Sequence, residues 1–245
     1  MPHRVAVLSD VHGVVPALEA VLAEPDVRGA DLVVLTGDLA AGPQPAETLD
    51  LLAGLGDRAL WISGNADREL VEYRRGTRDT IPDPIGPWAA GALREDQVEL
   101  LGSLPGTATL DVSGMGPVLF CHATPRDDAE PVVVDSPLAR WREVFAGLAD
   151  EVRTVVCGNT HMPFVRLVDG RLVVNPGSVG MPYGRDGAHW ALLGPGAELR
   201  RTGYDVDAAV ARVVADSGYE DVASWTDYFL RARATDEEAL RAFSG

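Results

Sequence analysis

The sequence contains no lysine, so all 21 of its Lys-or-Arg positions are arginine; 37 aspartates and glutamates oppose them, for a net charge of −16. A chain this acidic has no general attraction for a phosphate backbone, which excludes sequence-independent nucleic-acid binding. An anionic substrate would need something local to reverse the field. Cysteine is nearly absent: Cys121 and Cys157 stand alone, without CxxC spacing. That count excludes a disulfide scaffold. Both lie in apolar, strand-like runs and read as buried free thiols, and a cytoplasmic location is expected. Long apolar runs are missing too, none approaching the roughly 20 residues of a membrane span. The run Val5–Leu8, after Met1-Pro2-His3-Arg4, is too short for a signal-peptide core and reads as a buried strand.

What is present alternates between two periods. Residues 5–8, 32–35 and 60–63 read as strands, and residues 14–23 and 46–55 as helices between them. This order predicts a mostly parallel sheet with helices against it. Residues 68–106 are more polar and helix-like, broken at Ile81-Pro82-Asp83-Pro84. Strands resume at 118–121 and 154–157. Residues 164–168 and 171–174 flank Asp169-Gly170, a two-residue hairpin signal, and 190–193 with 198–202 read as another antiparallel pair. Two packed sheets with helices outside are expected. From Asp205 the character changes: Val206, Ala209, Val210 and Val213 fit one helical face, and Trp225, Phe229 and Leu230 another. The predicted division is a domain over residues 1–204 and a helical tail over 205–245, docked on the core or used between copies of the chain.

Five strand candidates end in groups able to bind metal. They run into Ser9-Asp10-Val11-His12-Gly13, Thr36-Gly37-Asp38, Gly64-Asn65-Ala66-Asp67, His122, and Gly158-Asn159-Thr160-His161. Open α/β sheets bind ligands beyond the carboxyl ends of their strands. Singly, each group has a plain structural use as a helix cap, a turn or a hydrogen-bonded side chain. Jointly they are selective, because three of the five histidines stand at these ends, and His3 and His189 do not. The oxygen and imidazole donors suit Mn²⁺, Fe, Zn²⁺ or Ni²⁺. They exceed what one tetrahedral ion needs, and two ions sharing a carboxylate would use them.

Asp10-x-His12, Gly37-Asp38, Gly64-Asn65, His122 and Gly158-x-Thr160-His161, in this order, resemble the motifs of the calcineurin-like metallophosphoesterase superfamily. The spacing is most similar to its small bacterial and archaeal phosphodiesterase branch, as is Asn175-Pro176-Gly177-Ser178 after the hairpin. The resemblance implies an α/β fold, a four-layer α-β-β-α sandwich of two mixed sheets with two divalent metal ions between them, manganese ahead of iron, zinc or nickel. Carried over by position, Asp10, His12 and His161 would hold the first ion. Asp38 would bridge both, and Asn65 and His122 would hold the second. The family has a histidine where this chain has Asn159, which would be the weaker donor of the second site, directly or through water. Many relatives also have a histidine where this chain has Ala66; the small phosphodiesterase branch often lacks it. Asp67 reads as a local hydrogen-bonding or salt-bridging group.

The activity implied is hydrolysis of a small or nucleotide-like phosphoester, a diester first, by water activated as hydroxide at the metal pair. Asp38, Asn65 and His122 would stand at its centre. Arg126, just after His122, is the expected phosphate contact; Arg185, after Tyr183, is the alternative. Two other readings stay open: a phosphomonoesterase, including a protein phosphatase, and a scaffold that has lost its metals.

Overall fold

The computed structural model describes residues 1–243; residues 244–245, the end of the expected tail, lie outside them. Strand β1 (Val5–Leu8) is buried at every position. A central strand covered on both faces has no polar side to show, so it reads as a continuous apolar run. Helix α1 (Val15–Ala23) follows with Pro16 in its first turn, where a missing N–H leaves no bond unmade, and α2 (Pro25–Arg28) returns the chain. Strand β2 (Leu32–Leu35), helix α3 (Pro45–Ala53) and strand β3 (Ala59–Trp61) repeat the unit, with β1, β2 and β3 parallel. Strand β3 ends before residue 63 because the Ser63 amide leaves the ladder and donates to the Pro105 carbonyl at 2.9 Å.

The polar stretch folds as α4 (Asn65–Arg74), α5 (Gly86–Ala92) and α6 (Glu95–Ser103). Then β4 (Thr107–Val112) and β5 (Gly116–Cys121) pair antiparallel. Strand β4 escaped the sequence reading because it is an edge strand, partly exposed along most of its length. Helix α7 (Leu138–Val144) and strands β6 (Thr154–Val156), β7 (Phe164–Val168) and β8 (Arg171–Asn175) come next. Strands β9 (Ala188–Leu193) and β10 (Ala197–Thr202) complete the first sheet by pairing β9 antiparallel to β1.

The sheet orders are β10-β9-β1-β2-β3 and β4-β5-β6-β8-β7. Val5, Val7 and Val34 from the first sheet meet Phe120, Val156 and Val174 from the second in the core between them. Ala6, Leu8 and Leu35, on the opposite face, meet Leu18, Leu49 and Leu70 of the helices. Trp141 and Val144 of α7 cover the second sheet over Cys121, Val155 and Cys157. The result is the four-layer α-β-β-α sandwich, with the expected two mixed sheets. Both cysteines are buried free thiols.

Helices α8 (Val206–Asp216) and α9 (Val222–Phe229) join the first helical layer through Ala209, Val213 and Trp225, and Arg212 pairs with Glu19 of α1 at 2.5 Å. Helix α10 (Asp236–Phe243) lies apart from that layer, against Val133, Met162 and Tyr183. Among the described residues no helix is long and apolar enough to cross a membrane.

Candidate metal centre

The loops after β1, β2, β3, β5 and β6 meet where the parallel strands end. Backbone bonds lace them together: Asp10 N–H donates to the Gly37 carbonyl and His12 N–H to that of Asp38, each at 3.0 Å, and Gly158 N–H donates to His122. Seven non-glycine residues among those described have positive φ, and five of them are Asp10, His12, Asp38, Asn159 and His161. Left-handed backbone costs roughly 1–3 kcal/mol per such residue and persists only where the surroundings enforce it. Concentrated here, it aims side chains that a relaxed loop would turn elsewhere. Gly64 is required for a different reason. Its φ of −98° suits any residue, but a Cβ there would overlap the Asp38 carboxylate.

Each imidazole is fixed by its far nitrogen. Nδ1 of His12 donates to the Ala41 carbonyl at 2.9 Å, Nδ1 of His122 to Thr36 at 2.7 Å, and Nδ1 of His161 to Met181 at 2.9 Å. A carbonyl can only accept, so Nδ1 carries the proton and Nε2 faces inward. The three Nε2 atoms converge on two buried carboxylates. Asp10 Oδ1 lies 3.2 Å from His161, 3.9 Å from His12 and 4.0 Å from His122; Asp38 Oδ2 lies 3.3 Å from His122 and 3.8 Å from His12. Asp10, His12 and His161 form one potential ion-binding group, and Asp10, Asp38 and His122 a second, the donor atoms of each within 4.8 Å of one another. Both carboxylates therefore face imidazoles of both halves.

Burial by itself would raise both carboxyl pKa values. The imidazole of His161 beside Asp10, and that of His122 beside Asp38, outweigh it and hold both below the usual range. Burial, with the adjacent His161, pushes His12 down, so it stays neutral. On His122 burial acts the same way, but Asp38 and Asp10 overcome it and hold the pKa up at about 10. Asp10 Oδ2 accepts from Ser9 Oγ and from the Asn159 amide, whereas Oδ1 is buried with no hydrogen-bond partner. A buried anionic oxygen without a partner is costly unless a cation lies against it. Imidazole, carboxylate and amide donors without a thiolate fit divalent first-row ions.

Asn65 opens α4 and brings its amide to 3.2 Å from both His122 Nε2 and the Asp128 carbonyl, so it belongs to the cluster. Asn159 enters chiefly through its backbone N–H on Asp10; its side chain points to the Ala129 carbonyl at 3.5 Å. Arg126 departs from the expected phosphate contact. Its half-exposed guanidinium is bound by Glu130 and Glu143, which spend its charge. Asp67 accepts from the backbone N–H groups of Leu39, Ala40 and Gly64, tying the loop after β2 to α4. Burial and the nearby Asp38 push its pKa up to about 7. Sequence reasoning gave no role to Tyr183, whose ring stacks on His161 with centroids 5.5 Å apart. An aromatic residue in a loop carries no periodic signal that would have singled it out.

Fold and centre together define a metallophosphoesterase. The profile of the calcineurin-like phosphoesterase superfamily domain matches residues 4–195, and the chain belongs to that superfamily, whose members hydrolyse phosphoester bonds with divalent metals. It is 27% identical over 243 residues to an uncharacterized protein of Methanocaldococcus jannaschii, the match covering 86% of this chain and 91% of that one. Its fold is similar to that of a hypothetical protein from Pyrococcus horikoshii OT3, with 21% identity, a TM-score of 0.77 and coverage of 93% of this chain and 98% of the other. A metallophosphoesterase from Sphaerobacter thermophilus is similar with 23% identity, a TM-score of 0.72 and coverage of 93% and 99%. Coverage of 93% exceeds residues 1–204 of the 245, so both likenesses run into the helical tail.

Proposed function

We propose that the protein is a phosphodiesterase that works with two divalent cations, manganese first among them, on a small or nucleotide-like ester. The observation that carries this reading is the set of three imidazoles, each locked through Nδ1, whose Nε2 atoms close on two buried carboxylates. Asp10, His12 and His161 would hold one cation, Asn65 and His122 the other, and Asp38 would be shared. Bound there, the pair would reverse the local field, neutralise a phosphate and lower the pKa of a coordinated water. The chain's own share is orientation. The carbonyls of Ala41, Thr36 and Met181 fix the imidazole tautomers, and the left-handed backbone holds the carboxylates in place. With Ala66 after Asn65, no side chain at that position can protonate a leaving group. That favours esters whose leaving groups depart as stable anions.

The test is hydrolysis of bis-p-nitrophenyl phosphate by metal-stripped protein, with and without added Mn²⁺, alongside elemental analysis. Turnover that appears with the metal, disappears in chelator and accompanies two ions per chain is expected. Folded, metal-loaded protein inactive on both diesters and monoesters would overturn the reading.

A further inference from the structure

Helix α10 stands outside the helical layer that α8 and α9 join, yet it reaches the metal centre through one loop. That loop, Met181-Pro182-Tyr183-Gly184, holds His161 on two sides. The Met181 carbonyl accepts the Nδ1 proton at 2.9 Å, and the Tyr183 ring lies nearly parallel to the imidazole, at 22° and 5.5 Å between centroids. A single hydrogen bond fixes the tautomer but leaves the imidazole free to rock about the bond axis. A parallel aromatic face removes that freedom. Among the described residues neither His12 nor His122 has a parallel ring against it; His12 meets His161 tilted at 56°.

The far side of the loop is bound to α10. Gly184 N–H donates to the Ala234 carbonyl at 2.9 Å, just before the helix, and Phe243 meets the Tyr183 ring edge-on at 6.3 Å. Met162, which follows His161, joins Val133 and Ala239 in an apolar cluster that Tyr183, Leu240 and Phe243 close. The helix start is fixed by its own reciprocal cap: Thr235 N–H donates to the Glu238 carboxylate at 2.9 Å, and Glu238 N–H to the Thr235 hydroxyl at 3.1 Å. Beside these contacts lies a cleft of about 330 Å³, lined by Tyr183 and Arg185 with Leu240 of α10. Open space there gives the tyrosine room to turn, so its plane depends on Phe243.

We infer that Tyr183 is the positioning residue of His161 and that α10 clamps it in place, so that the last helix sets how tightly the His161 half of the centre holds its cation. The inference rests on the metal-centre reading above. A ligand already aimed loses little freedom when an ion arrives, whereas an imidazole free to swing loses more and binds more weakly. Tyr183 acts through its ring face, because that face is what meets the imidazole. The other half is held from elsewhere: Asn65 opens α4, and His122 is fixed by the Thr36 carbonyl. Among the described residues no hydrogen bond or ring contact joins either of them to α10, so the effect is confined to one ion.

Calorimetric titration of the metal-stripped full chain with Mn²⁺ tests this. The tighter ion is the one expected at Asp10, His12 and His161. Tyr183→Leu should weaken it about 10-fold, the scale of an outer contact to a ligand, and Phe243→Ala should weaken it by a smaller factor; both should leave the other ion unchanged. Tyr183→Phe, which keeps the ring, should bind both ions as wild type does. Tyr219→Ala, which removes an aromatic contact with Trp88 elsewhere, should change neither. The readout that separates positioning from general packing is a double-mutant cycle: in a His161→Ala background, Tyr183→Leu should weaken neither ion further, because the residue it positions is gone. Wild-type affinity in Tyr183→Leu, an equal loss in Tyr183→Phe, or a loss that persists in the His161→Ala background would overturn the inference and leave the metal centre standing. Wild type that binds no Mn²⁺ would overturn the metal centre and the inference with it.

Discussion

His12 and His161 point their Nε2 atoms at each other across 3.1 Å, each with its Nδ1 proton already given to a backbone carbonyl. Two bare lone pairs repel at that distance, so the arrangement needs a proton or a cation between them. The two residues are 149 positions apart.

Asp38 lies between His12 and His122 and would be the shared ligand of the proposed pair. Asp38→Asn is expected to lower turnover by well over the roughly 100-fold seen on loss of an outer-shell contact, and to leave fewer than two ions per chain by elemental analysis. Without metal the variant should melt lower than wild type, because the buried His122 imidazole loses the carboxylate that holds its pKa up. His3→Ala, at an exposed position, should change neither. Wild-type activity in Asp38→Asn would rule out the shared role.

Metal uptake should release a proton. The Asp38 and Asp10 carboxylates hold the pKa of His122 up at about 10, against the pull of burial. Its Nδ1 is spent on Thr36, so the extra proton sits on Nε2, facing the site. A raised value means the proton is present below pH 10 and leaves as the pH climbs. Apparent affinity for the second ion should therefore rise between about pH 7 and pH 9, with about one proton released per ion. Calorimetry in two buffers of different ionisation enthalpy measures this. Heats that do not depend on the buffer would contradict it.

Gly64→Ala should disable the centre without unfolding the chain. The backbone there accepts any residue, but the added Cβ would run into the Asp38 carboxylate and amide. A loss of turnover of at least about 100-fold, with metal affinity reduced alongside, is expected. Gly91→Ala is the contrast. An added Cβ at Gly91, inside α5, would meet nothing within 4 Å, and the change should stabilise the fold by about 0.5–1 kcal/mol in a denaturant titration. Full metal-dependent activity in Gly64→Ala would show that the loop yields.

Asn159→His should strengthen the second ion. The position already has the left-handed backbone that His12 and His161 adopt, and its own side chain is engaged only with the Ala129 carbonyl at 3.5 Å. An imidazole is the better donor for late first-row ions, and a gain of about 10–100-fold in affinity is expected. Activity should saturate at lower metal concentration, with little change in maximal rate. Two equally tight sites in wild type, unaltered by the substitution, would show that Asn159 is not the weak point.

Much of the centre is legible along the chain because its ligands are local to strand ends. A buried parallel strand is a short apolar run, and the polar residue that stops it lies at the sheet edge where ligands collect. Asp10, Asp38, Asn65, His122 and His161 stand out for this reason. Strand β4 does not, because an edge strand partly open to water has no continuous apolar run to show. Arg126 misleads for a related reason. Nearness in sequence to His122 says nothing about Glu143, which waits 17 residues on to take its charge.

Strand periods and motif order were therefore enough to specify the layers, the family and the side chains of the centre, because hydrophobic alternation and strand ends are properties of neighbouring residues. Which charge meets which was decided only by folding. The facing of His12 and His161, the unpartnered oxygen of Asp10, and the cleft that Arg185 shares with α10 all join segments far apart in the chain. Close contacts of that kind follow from how the sheets and helices pack against one another, and no local pattern encodes them.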